Sequence, residues 1–97
     1  MPRPKRKRTV CSEPDYVCFR PDGIPPTEEV ILSIDEFETV RLVDYEKKTH
    51  EEAAKRMNIS RTTVTEIYET ARYKISDSLV NGKRLAIEGG EYRLCDG

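Results

Sequence analysis

Directly behind Ser60 stand Arg61, Thr62, Thr63, Thr65 and Glu66, short polar and charged side chains at what reads as the start of a helix. Residues of these types can read base edges. Arginine can grip guanine in two places, glutamate can accept from the amino group of cytosine, and a threonine methyl can touch thymine. Arg72 and Lys74, farther along the same stretch, suit phosphate contacts better than base contacts. A second cationic group opens the chain: Arg3, Lys5, Arg6, Lys7 and Arg8, interleaved with Pro2 and Pro4. Such an arm stays extended until it meets an anion. Arms of this kind enter the minor groove of A·T tracts, although basic ends also serve as solubilising tails or import signals. The sequence offers no glycine-rich phosphate loop, no carboxylate pair beside a histidine and no nucleophile with a neighbouring base. A non-enzymatic protein without catalytic residues or cofactors is therefore expected, with His50 as a surface residue. Cys11 and Cys18 are spaced too widely for the usual zinc pair. A composite set of Cys11, Cys18, His50 and Cys95 is less expected than small buried hydrophobes, so no metal site is assigned.

The elements that would position these side chains can be read from caps. Thr49 with Glu52 forms a capping box, so a helix begins near His50; Asn58 tolerates the left-handed conformation that ends it. Along that helix Ala53, Ala54 and Met57 share one side, and Ile59 plugs the corner. Ser60 caps a second, longer helix whose Val64, Ile67, Tyr68, Ala71, Ile75 and Leu79 form one stripe until Asn81-Gly82 stops it. In a helix-turn-helix the second helix lies in the major groove while the first crosses the backbone. An ordinary helical hairpin with a solvated polar face is the plainer alternative, which Glu66 and Glu69 favour.

Upstream, Pro14, Pro21, Gly23, Pro25 and Pro26 mark a linker, within which Tyr16 to Phe19 is a short β-prone run. Ser33 with Glu36 caps a bracing helix that carries Phe37, Val40 and Leu42, and its acids sit where the helix dipole favours them. Downstream, Gly89-Gly90 suits a tight hairpin in which Glu88 faces Glu91, Ile87 faces Tyr92 and Leu85 faces Leu94. Its apolar side must then pack on the long helix, gain the strand around Tyr16, or pair across a homodimer. The fold class expected is mainly α: a helical helix-turn-helix domain over residues 33–82. An arm and linker occupy residues 1–32, and a small C-terminal β-hairpin occupies residues 83–97.

With 97 residues, 36% of them hydrophobic, the chain can bury one modest core. Its net charge of −1 conceals three unlike segments: five bases and no acid in residues 1–10, ten acids against two bases in 11–46, and a balance of +2 in 47–97. A basic arm and reading unit can thus face phosphates while the acidic middle faces away or meets a partner. Three cysteines, no signal peptide and no apolar run of membrane length lead to an expected reducing cytoplasm.

Several runs together carry a family likeness: MPRPKRKR, Asp35-Glu36-Phe37-Glu38 with Arg41-Leu42-Val43-Asp44, Glu52-Ala53-Ala54, and Ser60-Arg61-Thr62-Thr63. Gly82-Lys83, Ile87-Glu88-Gly89-Gly90 and Tyr92 extend it to the C-terminal end. The chain resembles a widespread prokaryotic family of small uncharacterised proteins, domain of unknown function 134. They are described as predicted DNA-binding because their centre is similar to the helix-turn-helix of sigma factor region four. The resemblance implies a cytoplasmic transcriptional regulator acting on double-stranded DNA. Two departures stand out: Lys7 where the family often carries a cysteine, and Glu66 and Glu69 where region-four helices usually carry bases. The rival expectation is an interaction module that docks on transcription machinery through its acidic helix. A third is a thiol or metal sensor using Cys11 and Cys18.

Overall fold

The computed structural model describes residues 8–95. Three strands come first, β1 (Arg8–Val10), β2 (Cys18–Phe19) and β3 (Glu29–Leu32). Helix α1 (Ile34–Val40) runs on into a π-helical turn (Arg41–Tyr45), followed by α2 (His50–Met57) and α3 (Arg61–Asn81). Strands β4 (Arg84–Ile87) and β5 (Tyr92–Leu94) complete the order.

Local chemistry sets the helix ends as the caps foretell. At α1 the Glu36 N–H donates to the Ser33 hydroxyl at 3.4 Å and the Ser33 N–H to the Glu36 carboxylate at 2.9 Å. Thr49 and Glu52 repeat the exchange at α2, at 3.1 and 2.9 Å. Ser60 caps α3 by accepting from the Thr63 N–H at 3.1 Å. Asn58 (φ 57, ψ 45) and Gly82 (φ 63, ψ 37) end α2 and α3 in the left-handed region. In the π turn the Glu46 N–H reaches five residues back to the Arg41 carbonyl at 2.9 Å.

Helix α3 joins two clusters. Its Val64 packs with Leu42, Ala53, Ala54 and Met57, and its Ala71 with Val10, Leu32, Ile34, Leu85 and Ile87. Each large apolar side chain buried there contributes about 1.5–3 kcal/mol, so the helix is clamped on two sides. Glu38, 1% exposed, is satisfied by the Cys11 N–H at 3.0 Å and the Arg41 Nε–H at 2.7 Å. The bond to Glu38 raises the Arg41 pKa above its ordinary value, against the lowering effect of burial.

The expectation of a mainly α protein is overturned. The described residues form a small α/β structure in which three helices pack with five strands in two sheets. One sheet has the order β2-β4-β3, β4 running antiparallel to β2 and parallel to β3; the other pairs β1 with β5 in parallel. No hairpin joins β4 to β5. Leu85 lies opposite Phe19 and Val30, and Ile87 opposite Leu32, while Tyr92 lies opposite Arg8 and Leu94 opposite Val10. Of the three ways to cover the apolar side of β4, two are observed: it gains a strand from the Tyr16 region, shifted to Cys18–Phe19, and its Leu85 and Ile87 pack with Ala71 of the long helix α3.

Residues 89 and 90 do not turn back because they cross the start of α1, where the Ile34 N–H donates to the Gly89 carbonyl at 3.0 Å. A Cβ on Gly90 would lie 2.6 Å from Asp35 Oδ1 and 2.9 Å from Ser33 Cβ, so only glycine allows this approach. The segment read as arm and linker supplies β1 and β3, and Val10 is fully buried. Leu79, placed in the buried stripe by its spacing, is 79% exposed because the buried side of α3 at this end runs through Ala71 and Ser78, and Leu79 lies about 100° around the helix from Ser78. Cys11 is disulfide-bonded to Cys95, Cα to Cα 5.0 Å, and Cys18 is free and exposed. Two of the three thiols expected to be reduced are therefore bonded, and Cys11 is joined to Cys95 instead of working with Cys18. No described helix is long and apolar enough to cross a membrane.

Candidate functional site

The corner between α2 and α3 decides what the start of α3 presents. Ile59 turns inward onto the Leu42 and Val64 cluster, and its N–H donates to the Ala54 carbonyl at 3.0 Å. This swings Ser60 and the next turn outward. Arg61, Thr62 and Glu66 are exposed and Thr63 and Thr65 half-buried, while Val64 and Ile67 hold the opposite side of the helix to the body.

An open cleft beside this turn is lined by Arg8, Lys55, Asn58, Ser60, Arg61 and Thr63, with Glu51 the acid among its lining residues. Three cations from three elements thus meet at one helix start. Arg8 reaches it because β1 packs against both α1 and α2. The same guanidinium lies 3.5 Å from Asp35, which holds it at the junction of arm and body. The dipole of α3 adds partial positive charge at this end, so the cleft is suited to an anion such as phosphate.

A polar chain runs along the flank of α3. His50 Nδ1 lies 2.9 Å from the Thr65 hydroxyl, and the ring meets Tyr68 edge-on at 5.0 Å. Tyr68 donates its O–H to Asp44 at 2.7 Å and accepts from Arg72 Nη1 at 2.9 Å. The bond to Asp44 raises the Tyr68 pKa, as phenolate beside that carboxylate is disfavoured. The Arg72 guanidinium carbon stacks 5.4 Å from the Tyr68 ring centre, with Nε 3.7 Å from Asp44. This chain fixes the rotation of α3 relative to α2 and the π turn, and it sets the angle at which Thr62 and Glu66 project.

Of the residues singled out from the sequence, Arg61, Thr62, Thr63, Thr65 and Glu66 lie together on the first two turns of α3. Arg72 lies on the flank of the helix that carries Arg61 and Thr65, with its side chain 60% exposed but tethered to Asp44. Lys74 is elsewhere: its Nζ donates to Glu36 at 2.8 Å, tying α3 to α1. Arg3, Lys5, Arg6 and Lys7 lie outside the described residues, leaving Arg8 as the one arm residue placed at the cleft. Lys55 is absent from the sequence reading, and Asn58 enters it only as the stop of the first helix. Lys55 carries only the weak signal of a cation in the last turn of a helix, and its meeting with Arg8 depends on strand pairing no local pattern reveals. Among the described residues no group of three or more His, Cys, Asp or Glu is arranged to hold a metal.

The model of a family described as Protein of unknown function DUF134 matches residues 1–95. A UPF0251 protein of Desulfitobacterium hafniense is 54% identical over 99 residues, covering 100% of this chain and 79% of its own length. One from Thermoanaerobacter pseudethanolicus is 47% identical over 98 residues, covering 99% and 83%. An archaeal one, from Methanococcus vannielii, is 46% identical over 94 residues, covering 95% and 72%. No solved structure matches significantly.

Proposed function

For a chain that belongs to DUF134, a family of uncharacterised proteins found in bacteria and archaea, we propose sequence-specific binding of double-stranded DNA in the role of a transcriptional regulator. The observation that carries this reading is the meeting of Arg8, Lys55 and Arg61 beside an outward-facing first turn of α3. In this reading α2 and α3 work as a helix-turn-helix of the sigma region-four kind. Thr62, Thr65 and Glu66 approach base edges, Arg61 reads guanine, and Lys55 and Arg8 hold phosphates on either side. The arm ahead of Arg8 continues into the neighbouring minor groove. Binding and release of DNA would be the whole activity, with no chemical step and no cofactor, carried out in the cytoplasm. Lys74, engaged with Glu36, has no part in it.

The charge balance bears on this. Glu66 and Glu69 are both exposed, so α3 alone is a weak polyanion binder and the cleft and arm must provide the electrostatic attraction. Those two carboxylates favour a second reading, an interaction module that docks on the transcription machinery through its acidic helix without direct contact to DNA. Selection of genomic fragments retained at low salt separates the two. DNA reading yields an enriched common sequence, whose affinity falls as salt rises with a log–log slope of about −0.9 per phosphate neutralised. Retention with no enriched sequence would overturn the specific-regulator reading, and no retention at all would favour the other.

A further inference from the structure

On the side of the molecule formed by α1, the far end of α3 and β2, an apolar groove of about 310 Å³ runs between Phe19, Phe37, Val40, Ile75 and Leu79. Phe37 and Val40 also line a second hollow that leads on to Tyr16 and Tyr45. The two form one continuous face. Around them Tyr16 is 76% exposed, Tyr45 82%, Phe19 53% and Leu79 79%. At about 200 Å² for each large side chain these four alone expose roughly 600 Å². That is at the upper end of what a monomer leaves uncovered, and with the groove floor it approaches the roughly 800 Å² per partner of a stable protein interface.

We propose that this face is the contact between two copies of the chain. A two-fold interface must be complementary to itself, so it needs both a hollow and something to fill it. The face has both, because Leu79 and Tyr16 stand out beside the groove while Phe37, Val40 and Ile75 form its half-buried floor. The groove between Phe19 and Leu79 is free of charged lining, and the hollow at Tyr16 is bordered by Glu13, Asp15 and Asp44 against the single base Arg41, which argues against a nucleic acid or an acidic segment as occupant. Leu79 lies 18 residues beyond Arg61, about 27 Å along α3, so pairing here leaves the cationic cleft of each copy unobstructed.

The dimer can be tested without DNA, so its failure and the failure of the DNA reading are separable. Sedimentation of the full chain between about 1 and 100 μM should show a monomer–dimer equilibrium. Leu79→Glu, at a position too exposed to matter for folding, should weaken the dimer by about tenfold or more, since loss of a central contact typically exceeds 1 kcal/mol. Tyr16→Glu, in a different element, should do the same. Val80→Glu, 81% exposed and outside the groove lining, should leave the equilibrium within about twofold. A monomer throughout the range, a dimer indifferent to both Leu79→Glu and Tyr16→Glu, or an equal loss from Val80→Glu would each overturn the assignment.

Discussion

Replacing Gly90 and Gly89 by alanine, one at a time, should have unequal effects. Both residues have positive φ, +90° at Gly90 and +77° at Gly89, which costs an L residue about 1–2 kcal/mol. At Gly89 the added Cβ meets nothing within 4 Å, so that cost is the whole effect. At Gly90 the Cβ would sit 2.6 Å from Asp35 Oδ1 and 2.9 Å from Ser33 Cβ. Relief requires α1 to back away from residue 90, disturbing the Ser33 cap, worth about 1 kcal/mol, and the Asp35–Arg8 pair. The total for Gly90→Ala is about 3–4 kcal/mol. For a domain of this size, 1 kcal/mol moves the Tm by about 4–8 °C, so Gly90→Ala should melt roughly 15 °C or more below wild type and Gly89→Ala roughly 5–10 °C below. Circular dichroism melts with a urea titration as a check would measure both. Equal losses are what a free two-residue turn in solvent would give, and they would refute the packing of this segment on α1.

Reduction of Cys11–Cys95, which closes a loop with a sequence separation of 84, should destabilise the chain by roughly 4.5 kcal/mol on the chain-entropy estimate, read as a lower Tm in reductant. Lys55→Ala should lower the salt slope of DNA binding by about 0.9, whereas Lys74→Ala should leave it unchanged and cost only stability, because its partner is Glu36. The Glu52 carboxylate titrates below its ordinary value because the Thr49 N–H donates to it. Its folded pKa is depressed, so its contribution is present above the unfolded value of about 4.3 and is lost as pH falls through the lower folded value. Melts between about pH 6 and 3 should show a shallower acid decline for Glu52→Gln than for wild type.

What the sequence reveals here is governed by range. The capping boxes at Ser33 and Thr49, the stop at Asn58 and the cap at Ser60 depend on residues within four positions of one another, and each is found as read. The exposure of Arg61 and Thr62 follows from those local signals. The strands depend on distant partners: β4 takes its neighbours from residues 18–19 and 29–32, and β1 takes its from residues 92–94. No period-two pattern in strands of two to four residues identifies such pairings. Gly89-Gly90 between two β-prone runs therefore looks like a turn, although Gly90 is there to let backbone pass close to Asp35. Leu79 fits a broad apolar stripe, but the buried side of α3 passes through Ser78, a polar residue that the apolar rhythm does not mark. The cleft was half legible, since Arg61 was marked by its cap while Lys55 and Arg8 are brought to it only by the fold.

The central claim is that the first turn of α3 enters the major groove, and the most direct measurement is methylation of guanine N7, which faces that groove, on the enriched DNA sequence. The protein should protect specific guanines, and Arg61→Ala should restore methylation at one of them while weakening binding by about 1–3 kcal/mol. Unprotected guanines, or protection unchanged by Arg61→Ala, would contradict it.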